Sequence, residues 1–291
     1  MPDKIGILSS QRGYHVRELE AAVRSRGAEP VYFSITRMAG RVGFRPPTLQ
    51  VCGESVEDCR ALIVRTIPTG SLEQIIFRMD ALHRLQGQGV RVVNSAAAIE
   101  RTVDKFYTSF LLSDAGITTP RTVVTEDFET ALEVCREMGD VVLKPLFGSE
   151  GKGMVRVSDI ESAYRVLRAW ELNRYIYYIQ EYVPHFQEDI RAFVIGDRVV
   201  AAMRRRGPGW KTNFCQGADA EAIELDAGLQ TLALKAASLI DLDYAGVDIM
   251  PAENGMYYVV EINSIPGWRG LQKTTETKIA EQIVDYVLAK V

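Results

Sequence analysis

Residues 244–263 read YAGVDIMPAENGMYYVVEIN, two apolar runs on either side of a short polar loop. Turn-forming residues between two alternating runs predict a β-hairpin. If the loop has four residues, Pro251 opposes Met256, and Asp248 then lies diagonally across from Glu261 on the same face of the hairpin. The sequence therefore predicts that two carboxylates converge here.

A third oxygen donor extends this pair, because Asn263 follows Glu261 by two residues and points to the same side of the strand. Asp248, Glu261 and Asn263 together offer the oxygen ligands that Mg²⁺ prefers, with phosphates and water completing the coordination. The alternative is a solvated sheet face that has its charges by chance. On the opposite face the pattern predicts four buried residues, Val247, Ile249, Val260 and Ile262.

A glycine-rich segment, FGSEGKG at 147–153, lies between the predicted strands VVLK and MVRV. Glycine lets backbone N–H groups approach a phosphate, and a neighbouring hydroxyl and lysine add a donor and a charge. The spacing is neither that of a Walker A loop nor that of a dinucleotide-binding loop, and a plain hairpin turn is the alternative. The candidate phosphate-binding residues are Gly148, Ser149, Gly151, Lys152 and Gly153, together with Lys144 at the end of the preceding strand and Lys105 in a helical stretch upstream.

The strand around Tyr175–Gln180 runs into Glu181, Tyr182, Val183 and a proline, which ends the pairing. Backbone groups at such a strand exit can bind a planar heterocycle, with Tyr182 and Val183 as apolar cover.

A cationic run, RRRGPGWKTN at 204–213, stands out in a chain that is net acidic. With Arg191 and Arg269, its cations could neutralise a polyphosphate and an anionic substrate. The alternative is that alternate members of the run simply face water.

Composition excludes several classes of protein. The 291 residues include 34 Lys and Arg against 38 Asp and Glu, a formal charge of −4, which disfavours general nucleic-acid binding. The four cysteines form no C-x-x-C pair and there are only three histidines, so zinc sites and disulfide frameworks are not expected. No stretch is apolar enough to span a membrane. We expect a cytoplasmic protein.

The order of strand and helix patterns predicts an α/β fold, with an α+β arrangement towards the C-terminus. We expect an open α/β domain at 1–95, a second domain at 96–185 and a third at 186–291. Capping boxes at Ser71-x-x-Gln74 and Ser158-x-x-Glu161 mark two helix starts. Residues 37–55 form no regular pattern; we favour a mobile surface loop over a flap that covers a site.

Taken in order along the chain, these motifs resemble the ATP-grasp superfamily, and within it the RimK-type α-L-glutamate ligases. The matching stretches are Asp104-Lys105, VVLKP, GSEGKG, IQEYV, DIR with Arg191, WKTNFCQG, GVDIM and EINSIPGW. The resemblance covers essentially the whole chain and is weakest over 1–95. It implies an ATP-grasp fold preceded by a pre-ATP-grasp domain. Nucleotide would lie between the last two domains.

The resemblance also implies roles for the candidate residues. Lys105 and Lys144 would bind the α- and β-phosphates of ATP, GSEGKG would be the mobile lid, and Gln180 to Val183 would hold adenine. Asp248, Glu261 and Asn263 would hold two Mg²⁺ ions, with Mn²⁺ as a possible substitute. Arg191, Arg204 and Asn213 would contact the γ-phosphate and the acyl phosphate formed from it.

Two positions depart from the pattern of the RimK-like relatives, which tend to have arginine where this chain has Lys211 and glycine where it has Ala218. Lysine lacks the bidentate geometry of arginine, so the role of that position does not transfer directly. The stretch NSIPGWRG is closer to ligases that glutamylate a small coenzyme, such as those of tetrahydromethanopterin biosynthesis, than to the branch that modifies a ribosomal protein.

The predicted function is therefore ATP-dependent amide formation, in which L-glutamate is joined to the carboxylate of a small anionic acceptor through an acyl phosphate. A peptide or protein C-terminus is the nearest alternative acceptor. A kinase acting on a hydroxyl group and a non-catalytic ATP-binding regulator are the alternatives from other classes. We expect no nucleic-acid or membrane partner, and a homo-oligomer.

Overall fold

The computed structural model describes residues 2–148, 153–211 and 219–291. Its helices are α1 (Tyr14–Ser25), α2 (Leu72–Gly87), α3 (Ala96–Val103), α4 (Lys105–Asp114), α5 (Phe128–Met138), α6 (Ile160–Glu171), α7 (Ala227–Leu239) and α8 (Ile279–Leu288). Its strands are β1 (Lys4–Ser9), β2 (Glu29–Ser34), β3 (Met38–Gly40), β4 (Leu49–Val51), β5 (Glu54–Ser55), β6 (Ala61–Val64), β7 (Arg91–Val93), β8 (Thr122–Thr125), β9 (Val141–Lys144), β10 (Val155–Val157), β11 (Tyr177–Glu181), β12 (Glu188–Ile195), β13 (Arg198–Arg206), β14 (Asp219–Ala222), β15 (Tyr244–Pro251) and β16 (Tyr257–Asn263).

The strands of the described residues form one parallel sheet and three antiparallel ones. The N-terminal sheet has the order β2-β1-β6-β7 and is parallel throughout. The order β10-β9-β11-β8 makes the central sheet, and β14-β13-β12-β15-β16 makes the C-terminal one. The mixture of a parallel α/β sheet and later antiparallel sheets is the predicted fold class.

Residues 37–55 do not form the irregular surface loop that the sequence suggested. They contain a small antiparallel sheet, β3-β4-β5, whose Met38, Leu49 and Val51 are buried against the N-terminal core. The strands are only two or three residues long, so their alternation is too short to be recognised as a periodic pattern.

The predicted capping boxes have different outcomes. Ser71 caps α2, and its reciprocal bonds with Gln74 are both present, so that prediction is confirmed. The second prediction is wrong by one residue, because the side chain of Asp159 caps α6 by accepting from the Ser162 N–H. Asp104 ends α3 and caps α4, so the helical stretch that contains Lys105 starts a new helix at that residue.

The apolar cores join distant parts of the chain. One cluster combines N-terminal residues such as Ile5 and Val16 with Phe193, Trp268 and Ile283 from the C-terminal part. The central sheet and its helices have a separate core, whose buried members run from Phe128 to Ile179. No helix among the described residues is long and apolar enough to cross a lipid bilayer.

Candidate active site

The carboxylate hairpin, β15 and β16, faces a cleft between the central and C-terminal sheets. Asp248 pairs directly with Glu261, and both residues line this cleft. The diagonal pairing expected from a four-residue loop is wrong. Pro251 pairs with Tyr257 rather than with Met256, which shifts the register at the loop by one residue.

A β-bulge restores the shared face of the two carboxylates. Ile249 pairs with Val259, whereas the next pair is Asp248 with Glu261, so Val260 is the extra residue of the bulge. The prediction that Val260 is buried is corrected accordingly: Val259 is fully buried and Val260 lines the cleft.

Asp248 is held by two arginines that lie on the same face of the sheet. Its carboxylate accepts two hydrogen bonds from the Arg191 guanidinium and one from Arg205 Nη2 at 2.8 Å. Only 5% of Asp248 is exposed. Burial alone would raise the pKa of the Asp248 carboxyl, but Arg191 and Arg205 hold it below its ordinary value. Asp248 is therefore an anion, and its charge is balanced by two guanidiniums.

Asn263 pairs with Gly246 one step along the same face. Its amide nitrogen is buried and has no hydrogen-bond partner among the described residues. An orphaned buried amide beside two carboxylates fits a site that binds a ligand. Within the described parts of the chain, no group of three or more His, Cys, Asp and Glu residues could hold a metal ion. A divalent ion would therefore depend on Asp248, Glu261, the Asn263 amide oxygen and the phosphates of a nucleotide.

Two lysines face Glu261 across the cleft. Lys105 is the first residue of α4 and donates from Nζ to the carbonyls of Leu146 at 3.1 Å and Gly148 at 2.8 Å. Burial lowers the pKa of the Lys105 amine, while Glu261 acts in the opposite direction. Burial and the Lys105 charge lower the pKa of the Lys144 amine to about 8, although Glu261 favours its protonated form. Two cations in a partly buried cleft are suited to binding phosphate groups.

The side chain of Gln180 is engaged with Lys144. Its Oε1 accepts from Lys144 Nζ, and its Nε2 donates to Thr122 Oγ1 at 2.9 Å and to the Tyr178 hydroxyl at 3.4 Å. Tyr178 in turn lies 3.0 Å from Ser109 Oγ. The side chain of Gln180, which the sequence placed at the adenine, therefore belongs to a buried hydrogen-bond network that includes Lys144.

Two backbone N–H groups at the end of β11, which were expected to be free for a planar heterocycle, already form hydrogen bonds. The N–H groups of Glu181 and Tyr182 already donate to the carbonyls of Arg121 and Asp140 at 2.9 Å each. The Glu181 carboxylate accepts from Arg121 Nε at 2.6 Å. Tyr182 and Val183 still line the cleft, so the apolar cover is in place.

A second cover for this end of the cleft was not predicted. Trp210 lies 6.5 Å from Tyr182 between ring centroids, and its carbonyl is 3.1 Å from Nε2 of His185. Lys211 donates to the Met154 carbonyl at 2.8 Å. These contacts join the loop after β13 to His185 and to Met154, the residue that follows the glycine-rich segment. Only the short aromatic and basic stretch at Trp210-Lys211 hinted at them in the sequence.

Three residues of the glycine-rich segment are described, and Phe147 is exposed. Gly148 lines the cleft, and Gly153 has a φ of +75°, a left-handed conformation that favours glycine. Ser149, Gly151 and Lys152 lie outside the described residues, as does Asn213.

The structure corrects one arginine. Arg204 does not line the cleft; on the other face of the sheet it forms ion pairs with Glu188 at 3.7 Å and Glu221 at 3.4 Å. Its neighbour Arg205 lines the cleft, is 5% exposed and contacts Asp189 and Asp248. Successive strand residues point to opposite faces, so Arg205 lies beside Asp248 whereas Arg204 lies on the other side of the sheet.

Comparison with known proteins identifies the family. A model described as the RimK-like ATP-grasp domain matches residues 102–287, and the RimK PreATP-grasp domain matches residues 4–99. The chain belongs to the RimK-like ATP-grasp family. It is an ATP-dependent ligase with the ATP-grasp fold and a preceding pre-ATP-grasp domain, as the sequence predicted, and members of this family use ATP and divalent metal ions.

Individual relatives of this RimK-like protein are also named as ligases. The tetrahydromethanopterin:α-L-glutamate ligase of Methanococcus maripaludis is 34% identical over 290 residues, which cover 98% of each chain. The enzyme of the same name from Methanocaldococcus jannaschii is 38% identical over 73% of this chain and 75% of its own. Among solved structures, the ATP-grasp ligase PsnB complexed with minimal precursor has a TM-score of 0.79 and 26% identity, with full coverage of both chains.

Proposed function

We propose that this ligase joins L-glutamate to the carboxylate of a small anionic acceptor. The observation that supports the proposal most strongly is the cleft itself, where Asp248 and Glu261 face Lys105 and Lys144. The names of the methanogen relatives support glutamate as the amine and a coenzyme as the acceptor.

The chemistry follows from the poor electrophilicity of a carboxylate. Transfer of the γ-phosphoryl group of ATP to the acceptor carboxylate gives an acyl phosphate, and the amine of glutamate then displaces phosphate. Lys105 and Lys144 bind the nucleotide phosphates, while Tyr182 and Val183 cover the adenine. Arg205 and Arg191 stabilise the oxyanion that develops during amine attack.

We propose two Mg²⁺ ions as cofactors, with Mn²⁺ as a substitute. Asp248, Glu261 and the amide oxygen of Asn263 would hold them. When bound, the ions neutralise charge on the phosphates. We also propose the three domains 1–95, 96–185 and 186–291, a cytoplasmic location and a homo-oligomer.

The test uses the purified protein with ATP, Mg²⁺, L-glutamate and a metabolite extract, followed by mass spectrometry. We expect one compound to gain the mass of one glutamyl residue. Glu261→Gln should abolish this gain without loss of the folded state, because a neutral amide binds cations poorly.

An isotope experiment then separates the ligase from a kinase. With ¹⁸O in the acceptor carboxylate, an acyl phosphate delivers one labelled oxygen to inorganic phosphate. A stable phosphorylated product formed at the same rate without any amine would refute the ligase. A glutamyl mass gain found only on a peptide or protein C-terminus would favour the alternative acceptor. The solved ATP-grasp ligase PsnB, which has a similar fold, is complexed with its minimal precursor.

A further inference from the structure

His185 lies at the end of the cleft that Tyr182 and Val183 cover, in the segment between β11 and β12. It is 7% exposed, it lines the cleft, and it forms an isolated β-bridge with Ala252 in the loop of the carboxylate hairpin. Its ring lies 5.7 Å from the ring of Tyr182, measured between centroids. No step of the proposed reaction uses this histidine, so its place beside the expected adenine needs another explanation.

Both nitrogens of the His185 ring face carbonyl oxygens. Nδ1 is 3.0 Å from the oxygen of Val183, and Nε2 is 3.1 Å from the oxygen of Trp210. Neither oxygen accepts another hydrogen bond from the described residues. A carbonyl can only accept, and a neutral imidazole has one N–H donor, whereas an imidazolium has two. The arrangement is therefore fully hydrogen-bonded only when both ring nitrogens are protonated.

The two contacts differ in what a neutral ring would lose. The Val183 contact joins residues two positions apart and is buried, so the chain itself holds that oxygen beside the ring. The Trp210 contact joins residues 25 positions apart and is partly exposed. Water can replace the donor at the exposed contact at less cost than at the buried one. Loss of one proton from the imidazolium of His185 therefore breaks the bond to Trp210.

The bond from His185 fixes the backbone of Trp210, whose ring lines the cleft beside Tyr182. Gly207 and Lys211, on either side of Trp210, each donate to a backbone carbonyl elsewhere in the chain. A charged donor makes a stronger hydrogen bond than a neutral one. Protonation of His185 therefore holds the Trp210 backbone in place, and release of the proton loosens it.

The charged side chains on the segments around His185 are engaged elsewhere. They are Glu181 with Arg121, Glu188 with Arg206, Asp189 with Arg205, and Lys211 with the Met154 carbonyl. Glu253, in the hairpin loop, is exposed to solvent. Tyr182, the titratable neighbour on the same segment, has the guanidinium of Arg156 3.4 Å from its ring centre. The two carbonyl oxygens therefore act on the His185 proton at the shortest range.

We propose that His185 is a positioning residue, which as an imidazolium holds Trp210 against the adenine of the nucleotide and as a neutral ring releases it. The inference rests on the proposed placement of adenine beside Tyr182 and Val183, and it goes further because it makes nucleotide affinity depend on one proton. Histidine ordinarily changes charge between pH 5 and 8, so the effect falls in that interval. Adenine should bind more tightly at the acidic end.

The test measures adenosine binding by calorimetry at about pH 5.5 and about pH 7.5. Adenosine has no phosphates, so the titration of a phosphate group or of its lysine ligand does not contribute. We expect the protonated form to bind about tenfold more tightly, the effect of one hydrogen bond to a charged group, so wild-type affinity should fall by about fivefold over this interval. His185→Gln keeps an N–H donor but does not titrate, and its affinity should be the same at both pH values.

NMR of the protein labelled in its histidine rings gives the reciprocal measurement. A tenfold preference for the protonated form requires that saturating adenosine raise the titration midpoint of His185 by about one pH unit. A histidine with only a structural role would keep its midpoint. The His185 signal is the one that persists in His83→Gln and titrates apart from His15, whose pKa is lowered to about 4 by burial. This measurement stands even where His185→Gln folds poorly.

The matched control is His83→Gln, which removes an exposed histidine that contacts Glu100. It should keep the pH dependence of the wild-type protein. Equal wild-type affinity at both pH values, an equal fall in His185→Gln, or an unmoved midpoint overturns the inference, and a glutamyl product in the ligation assay would then leave the proposed function standing. Adenosine that binds at neither pH overturns the placement of adenine together with this inference, and the ligation assay then decides the proposed function by itself.

Discussion

Replacing Gln180 by methionine tests whether this residue orients Lys144 or binds adenine. Gln180 is 3% exposed, and its Oε1 accepts a hydrogen bond from the Lys144 ammonium. A hydrogen bond to a charged group contributes about 1.5–3 kcal/mol, which corresponds to a loss of about ten- to a hundredfold in affinity for a phosphate that depends on the lysine. Methionine has a similar volume and lacks the acceptor, so we expect ADP to bind Gln180→Met more weakly by this factor.

Adenosine supplies the decisive comparison, because it presents the base and ribose without phosphates. Calorimetric titration with ADP and Mg²⁺ and with adenosine should show that only the ADP affinity falls. The control Gln230→Met changes a glutamine on α7 that donates to the Leu225 carbonyl, remote from the cleft. An equal loss of ADP and adenosine affinity in Gln180→Met would refute the orienting role and restore the adenine contact.

Three further predictions concern single side chains. Arg205→Lys should lower the steady-state ligation rate by about a hundredfold or more, because lysine cannot contact Asp189 and Asp248 at the same time as arginine does. The control Arg204→Lys should change that rate by less than about twofold. Equal losses in the two variants would contradict the placement of Arg205, rather than Arg204, at the site of reaction. The positive charge of Lys144 is present below its pKa of about 8 and is lost above it. The affinity for ADP should therefore decline as the pH rises through 8. A Kd for ADP that stays constant between about pH 7 and 9 would count against Lys144 as a phosphate ligand. Asn94→Leu should lower the free energy of unfolding by about 3 kcal/mol in a denaturant titration, because it orphans backbone groups around Asp243 and Tyr244; an unchanged midpoint would contradict it.

The sequence was sufficient to place the carboxylate hairpin but not its register. Alternation identified both strands, and the side-chain period of two put Asp248 and Glu261 on one face. The bulge at Val260 left no mark in the alternation, since valine suits either side of a strand. The longer loop and the bulge each shift the register by one, which is why the expected face was right although the pairing was not.

For the arginine run at 204–206, the sequence did not predict which side chain faces the cleft. Three consecutive arginines contain no periodic signal, so the choice between Arg204 and Arg205 required the register of β13 against β12. The contact of Gln180 with Lys144 was not predicted for a different reason: Lys144 is 36 residues away, and only the pairing of β11 with β9 brings the two together. Contacts across a sheet are properties of topology, which local patterns do not contain.

The division of the apolar cores has a consequence for how the molecule loses its structure. Because Ile5 and Val16 share a core with Phe193, Trp268 and Ile283, the two ends of the chain should unfold as a single cooperative unit. The layer from Phe128 to Ile179 packs on itself and can open independently. Amide exchange should therefore give two populations of protection, with the less protected one in the layer from Phe128 to Ile179.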